Sequence, residues 1–194
     1  METAGADHVP WAEDADRFIA EVREFLTGER ESAVPDRVLA TVLFTDIVGS
    51  TERATELGDV RWRQLLAEHH RVIREAVAAA GGIEVDMAGD GILATFDGPA
   101  RAISSARAIQ RASAPLGLEV RAGVHTGEIE RLGDGVAGVA VHLGARVAGA
   151  AGPGEVWVSS IVPQLTSGSG ITYEDRGLHR LKGIEHEQQL YSVA

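Results

Sequence analysis

The sequence predicts an α+β sandwich, in which helices pack on a sheet. The apolar, β-branched run VLATVLFTDI (38–47) indicates a buried central strand. A long segment over 52–80 follows, and its apolar residues recur at steps of three and four, as in a helix. Two short strands come next with only AGDG between them, which is the spacing of a hairpin. The order β-α-β-β, continued by a further helix and strand, is typical of this fold class.

Turn residues and apolar spacing define the other elements. Gly81 and Gly82 end the long helix as a C-cap does, and Pro99 lies near the first turn of the next helix. The predicted elements after the long helix are strands over 83–87 and 92–96, a helix over 98–114, a strand over 118–130, a Gly-rich turn over 131–138, a helix over 139–150, and strands over 155–159, 171–181 and 188–193.

Residues 1–36 are predicted to form a short N-terminal helical appendage, and residues 37–194 the main domain. Apolar residues within 14–26 have helical spacing, and the polar segment TGERESAVPD (27–36) indicates a linker. The helical apolar positions are Phe18, Ile19, Val22, Phe25 and Leu26.

The composition excludes several classes of protein. The chain has 18 basic and 29 acidic residues, a formal net charge of −11, which argues against a general binder of nucleic acid or anionic membrane. It has no cysteine, so disulfides, thiolate metal sites and cysteine nucleophiles are excluded. No apolar run is long enough to span a bilayer, and the acidic first residues lack the pattern of a signal peptide. We therefore expect a soluble, cytoplasmic protein without a membrane segment.

Two aspartates are candidate metal ligands. Asp46 lies at the end of the buried strand and Asp90 lies in the hairpin turn, and no basic residue adjoins either in sequence. Two such carboxylates repel each other unless a cation lies between them, and oxygen ligands suit Mg²⁺ or Mn²⁺. Each aspartate alone is more often a helix cap or a turn residue. The pair gains weight from the segment beside it.

That segment is IVGST (47–51), between the strand and the long helix. Amides at a helix N-terminus bind phosphate readily, and Gly49 lets the main chain approach a ligand. The alternative interpretation is an ordinary turn, in which Ser50 or Thr51 caps the helix.

Five blocks of sequence, in order, resemble the class III adenylyl/guanylyl cyclase domain, most closely its bacterial, actinomycete-type members. They cover about residues 38–193, and their number and order make the resemblance far more specific than any one motif. The blocks are FTDIVGSTERATELGD, AGDGILATFDGPARAI, RAGVHTGEIE, VHLGARVAGAAGPGEVWVS and DRGLHRLKGIE.

The resemblance implies a ferredoxin-like βαββαβ fold and a head-to-tail homodimer with active sites at the subunit interface. The implied reaction converts ATP or GTP into the 3′,5′-cyclic monophosphate and pyrophosphate, with two Mg²⁺ or Mn²⁺ ions per site. By position, Asp46, Ile47 and Asp90 match the metal ligands, and Arg146 matches the arginine that stabilises charge on the reacting phosphate from the other subunit. The main chain from Ile47 to Thr51 (Ile47, Val48, Gly49, Ser50 and Thr51) matches the phosphate-binding loop.

The sequence departs from the family pattern at two important positions. His142 stands where the family usually has an asparagine that orients the ribose, four residues before Arg146. A histidine can still donate a hydrogen bond, and the alternative is a histidine packed at the dimer interface. Asp86 stands where a lysine usually selects adenine. An ionised aspartate only accepts hydrogen bonds, so it could accept from either base, crowd the metal site or simply be exposed.

Three further residues are weaker candidates for contacts with substrate. Gly135 occupies the second base-selecting position, and a shift of one residue in its turn would bring Asp134 there instead. Lys182 is the nearest candidate for the family's triphosphate-binding lysine. Two hypotheses follow. The chain is an active nucleotide cyclase, or it is a degenerate cyclase domain that binds nucleotide or dimerises as a regulatory module.

Overall fold

The computed structural model describes residues 36–133 and 135–194, together with Val22, Phe25 and Leu26, which are helical. The rest of the predicted N-terminal helix lies outside the described residues, so the helical appendage stays a prediction. Residues 36–194 form one compact unit.

An eight-stranded sheet organises this unit. Its strands and the helices between them are β1 (Arg37–Ile47), α1 (Ser50–Ala79), β2 (Ile83–Ala88), β3 (Gly91–Phe96), α2 (Pro99–Ser113), β4 (Val120–Leu132), β5 (Gly135–Ala137), α3 (Val139–Ala150), β6 (Val156–Ser159), α4 (Ile161–Leu165), β7 (Tyr173–His179) and β8 (Gln188–Val193).

The strand order confirms the predicted ferredoxin-like fold. The sheet runs β2-β3-β1-β4-β6-β8-β7, and β5 pairs with β4. Its first four strands, joined by α1 and α2, are the βαββαβ unit, with β1 antiparallel to both β3 and β4. β6 adds to β4 in parallel and carries the C-terminal hairpin of β7 and β8.

Helices cover both faces of the sheet. One core joins α1 and α2 to inward residues such as Leu43 on β1 and Ile92 on β3. The other face is covered by α3, where Gly144 lies so close to Val42 and Phe44 that a Cβ would clash. Because β1 is buried on both faces, its sequence is a nearly continuous apolar run, as predicted.

The structure departs from the sequence prediction in three places. Gly58 has φ 73° and ψ 159°, so the long helix is interrupted there. The segment predicted as a Gly-rich turn over 131–138 contains the end of β4 and the strand β5. The short helix α4 was not predicted, because its five residues are too few to show periodicity. None of the helices in the described part of the chain has the length and apolarity that a bilayer crossing requires.

Candidate active site

Asp46 and Asp90 lie at neighbouring strand ends on one edge of the sheet. Gly91, directly after Asp90, packs against the end of β1, where a Cβ would clash with the carbonyl oxygen of Thr45 and lie 3.9 Å from Cα of Asp46. Only a glycine permits this approach, which carries the β2–β3 turn up to Asp46. The two aspartates predicted to act together are therefore adjacent in the fold.

The carboxylate of Asp90 is only partly satisfied. Its Oδ2 atom is buried and has no hydrogen-bond partner among the described residues. A buried carboxylate oxygen without a donor is costly, and a cation is one way to satisfy it. The hard oxygens of Asp46 and Asp90 are the ligand type that Mg²⁺ and Mn²⁺ prefer, so the pair fits such an ion.

Asp46 has a partner that the sequence analysis missed. Arg121 lies opposite it on β4, and its Nε donates to Oδ2 of Asp46 at 2.9 Å. One terminal nitrogen of Arg121 contacts the same oxygen, and both side chains are about a third exposed, at 32% for Arg121 and 36% for Asp46. No basic residue adjoins Asp46 in sequence, but the antiparallel register of β1 and β4 places one beside it. The pairing was not visible without that register.

The segment from Ile47 to Thr51 begins α1 without a side-chain cap. Gly49 is the N-cap, with φ 69° in the left-handed region, and no side chain accepts from the first amides of the helix. The interpretation of Ser50 or Thr51 as the N-cap is therefore wrong. These first amides have no partner inside the helix, as a phosphate-binding turn requires.

Two residues of this segment have limited freedom to contact a ligand. The side chain of Ile47 is buried in the core, so only its main chain is available. The amide of Val48 donates to the carbonyl of Glu119 at 2.9 Å. A cleft of about 260 Å³ borders the segment, and Arg53 and Glu119 also line it. The amides available for a phosphate are thus those from Gly49 onward.

His142 and Arg146 are both exposed on one face of α3, one turn apart. The Nε of Arg146 donates to the main-chain carbonyl of Lys182 at 3.1 Å, so a predicted catalytic residue and a predicted substrate-binding residue are brought together. Within the described residues, neither His142 nor Arg146 forms a hydrogen bond or ion pair with Asp46 or Asp90. One chain therefore presents two separate half-sets of predicted site residues.

Two of the predicted base-selecting residues, Asp86 and Gly135, lie on the strands β2 and β5. Asp86 is exposed on β2 opposite Leu93, directly after a register shift between Glu84 and Asp86. Gly135 begins β5 opposite Leu132, and Asp134 lies outside the described residues. No cluster of three or more His, Asp or Glu side chains suited to a metal occurs in the described part of the chain.

Two consecutive histidines of α1 lie near the turn that holds Asp90. His70 contacts the turn itself, and His69 contacts α2. His70 Nε2 lies 3.0 Å from the carbonyl oxygen of Gly89, and His69 Nδ1 lies 3.0 Å from Oγ of Ser113 on α2. Burial lowers the pKa of His69 to about 4, with a further lowering by His70 and an opposing effect of Asp90. His69 is fully buried, as its place on the apolar face of α1 predicts.

A cleft of about 700 Å³ lies at the other end of β1 from Asp46. Residues at the start of β1 and β2 and at the end of β4 line it. Leu39 and Ile83, both in its lining, are 74% and 68% exposed. Charged residues and Gly135 also line it, so the cleft includes one predicted base-selecting residue but no predicted metal ligand.

Comparison with known proteins gives a consistent family assignment. Residues 35–194 match the model of the adenylate and guanylate cyclase catalytic domain. The chain is 27% identical to putative adenylate cyclase 3 of Rhizobium meliloti over 80% of this chain and 28% of that one. The chain spans about a quarter of the length of the curated relatives it matches.

Solved structures share the same fold. The adenylyl cyclase CyaB from P. aeruginosa superposes with a TM-score of 0.77 at 25% identity, over 82% of this chain and 95% of that one. An adenylate/guanylate cyclase/hydrolase from Silicibacter pomeroyi has a TM-score of 0.70 at 31% identity, over 82% and 98%. From the family match, the shared fold and the ordered motifs together, the chain belongs to the class III adenylyl/guanylyl cyclase catalytic domain family.

Proposed function

We propose that the chain converts ATP or GTP into the 3′,5′-cyclic monophosphate and pyrophosphate. The observation that carries the proposal is the adjacency of Asp46 and Asp90, with the buried and unpartnered Oδ2 of Asp90. The ribose 3′-oxygen attacks the α-phosphorus and releases its proton to water. The bond from that phosphorus to the bridging oxygen breaks, and pyrophosphate leaves with the bonding electrons.

Asp46, the main chain of Ile47 and Asp90 would hold two divalent ions per site. When bound, Mg²⁺ or Mn²⁺ supplies charge neutralisation for the triphosphate and lowers the pKa of the attacking hydroxyl. The amides from Gly49 to Thr51 lie at the start of α1, where the helix dipole favours phosphate oxygens. These residues make up the first half of the proposed site.

A second copy of the chain would supply the other half. Arg146 bears a fixed positive charge on an exposed helix face and can stabilise the charge that develops on the reacting phosphate. Lys182, whose carbonyl already accepts from Arg146, would contact the triphosphate, and His142 would orient the ribose. Asp86 and the Asp134–Gly135 turn would face the base. A two-fold homodimer then contains two composite sites.

The direct test is product formation by the purified chain with ATP or GTP and either Mg²⁺ or Mn²⁺, with chromatographic separation of cyclic and linear nucleotides. We expect cyclic product, lowered at least about 100-fold in Asp46→Ala and in Asp90→Ala. Asp97→Ala is the matched control, since this exposed aspartate pairs with Arg101 beyond the far end of β3. Full activity in both site variants would refute the metal-dependent mechanism.

A second candidate function is a regulatory domain that binds nucleotide or dimerises with little turnover. Two observations favour it: His142 and Asp86 replace the usual asparagine and lysine, and Arg121 occupies Oδ2 of Asp46. Nucleotide binding by a folded dimer that forms no cyclic product with either metal would support this alternative.

A further inference from the structure

The main chain of the turn before Asp90 is held from α1 by His70. Its Nε2 lies 3.0 Å from the carbonyl oxygen of Gly89. A carbonyl oxygen only accepts, so the hydrogen of this bond lies on Nε2. The contact joins residues 19 apart in sequence and ties the long helix to the hairpin turn.

The adjacent His69 fixes the same stretch of α1 from the other side. It is fully buried, and its Nδ1 lies 3.0 Å from Oγ of Ser113 at the end of α2. Consecutive helix residues project about 100° apart, so the two imidazoles leave the helix in different directions, with Nδ1 of His69 at Ser113 and Nε2 of His70 at Gly89. The position of His70 is therefore set by a buried contact to a second helix.

The Asp90 carboxylate depends on the main chain for its orientation. Its Oδ2 is buried and accepts no hydrogen bond from the described residues. The turn itself is short, since β2 ends at Ala88 and β3 begins at Gly91. A rotation of the Gly89 peptide would redirect Asp90, and the contact from His70 restrains that rotation.

We propose that His70 is a positioning residue for the metal site, which holds the Gly89 carbonyl so that the Asp90 carboxylate faces Asp46. His69 supports it by anchoring α1 to Ser113. The inference rests on the proposed function, because it assigns His70 a role in divalent metal binding. His69 and His70 lie outside the metal-ligand and phosphate-binding motifs of the family.

The test is Mn²⁺ affinity of the full chain, measured by electron paramagnetic resonance with 3′-deoxy-ATP, a nucleotide that cannot cyclise. We expect His70→Ala to weaken Mn²⁺ binding about tenfold or more, as loss of a residue that orients a ligand commonly does. His70→Gln should stay within about threefold of wild type, because its amide can still donate to Gly89.

A matched control is His179→Ala, which loses a comparable imidazole contact, 2.9 Å from Nε2 to the carbonyl of Arg176, away from the Asp90 turn. It should leave Mn²⁺ affinity unchanged. His70→Phe keeps a ring of similar size without a donor and serves if His70→Ala does not fold. We expect it to bind Mn²⁺ as weakly as His70→Ala.

Wild-type Mn²⁺ affinity in folded His70→Ala or His70→Phe would overturn the positioning role, and so would failure of His70→Gln to restore binding. These results can be separated from failure of the proposed function, since affinity is measured without turnover. A wild-type chain that binds Mn²⁺ but forms no cyclic product would refute the cyclase activity alone. A wild-type chain that binds no Mn²⁺ would refute both.

Discussion

Arg121 donates from Nε to Oδ2 of Asp46 at 2.9 Å, across the antiparallel pair of β1 and β4. A predicted metal ligand is thus already paired with a cation. A divalent ion at Asp46 competes with the guanidinium for the same oxygen and is repelled by its charge. Breaking this ion pair is therefore part of the free-energy cost of binding a divalent ion at Asp46 in the absence of nucleotide.

Removal of this guanidinium should strengthen metal binding by the nucleotide-free chain. An ion pair whose side chains are about a third exposed is worth about 1 kcal/mol, so Arg121→Gln should raise Mn²⁺ affinity by roughly fivefold. The measurement is a Mn²⁺ titration without nucleotide, with Arg101→Gln as control, because Arg101 pairs with Asp97 outside the site. Weaker binding by Arg121→Gln would show that the ion pair does not compete with the metal.

Gly91 should tolerate no side chain. A Cβ there would clash with the main-chain carbonyl of Thr45, and main chain cannot yield as a flexible side chain does. We expect Gly91→Ala to lower the free energy of unfolding by about 1–3 kcal/mol and to separate Asp90 from Asp46. Urea unfolding measures the first effect.

Gly98→Ala is the control for that substitution, since its Cβ would meet no atom within 4 Å and its φ of −163° suits any residue. Gly98 is the N-cap of α2, where alanine is less favourable than glycine, so we expect a loss below about 1 kcal/mol in the free energy of unfolding. Equal stability of Gly91→Ala and Gly98→Ala would contradict the close approach of the turn to β1.

His125 should make the fold less stable in acid. Burial lowers its pKa to about 4 from an ordinary 6.5, and its Nδ1 lies 2.6 Å from Oγ of Ser159. The unfolded chain binds the proton more readily than the folded chain does. The free energy of unfolding therefore has its full value above about pH 6.5 and falls as the pH drops toward 4. Between pH 7 and pH 5 we expect this residue to contribute a loss of about 1–2 kcal/mol.

Urea unfolding at the two pH values, for wild type and His125→Gln, measures that contribution. The glutamine does not titrate, so the variant should lose less stability than wild type between pH 7 and pH 5. His186→Gln, at an exposed position, controls for removal of a histidine as such. An identical loss in wild type and His125→Gln would contradict a neutral, buried imidazole.

The fold was largely predictable, because local patterns report it. The run at β1 shows burial on both faces, and the spacing of α1 shows one apolar stripe. Asp46 and Asp90 were predictable as a pair since each lies where a strand ends. Arg121 was not, because its contact depends on the register of β1 with β4, 75 residues away in sequence.

Other misses have similarly physical causes. The break at Gly58 arises from one left-handed residue inside a segment that otherwise has helical spacing. β5 is three residues long and pairs only with β4, so its glycines indicated a turn. The role of His70 was hidden because its contact is to the main chain of Gly89, which carries no side-chain signal.

Asp86 should influence the choice of base. It is exposed on β2, and as an ionised acceptor it favours the donor edge of guanine or the amino group of adenine. We expect Asp86→Lys to shift the ratio of ATP to GTP turnover toward ATP by about tenfold, since a lysine donates where the aspartate accepts. Rates with both nucleotides at saturating Mn²⁺ give the ratio.

Glu174→Lys supplies the matched control, because Glu174 is exposed on β7, at the opposite edge of the sheet from β2, and pairs with Arg176. It makes the same change of charge away from the proposed base site, so its ratio should equal that of wild type. An unaltered ratio in Asp86→Lys would mean that this residue does not contact the base.

A nucleotide cyclase site shared between two copies of the chain can be tested with co-expressed variants. Chains with Asp46→Ala and Arg146→Ala, each with its own affinity tag, are purified through both tags so that only mixed dimers remain. One of the two sites is then intact, and we predict about half the wild-type rate of cyclic nucleotide formation, while either variant alone is inactive. A mixed dimer as inactive as the single variants would contradict a site shared between two chains.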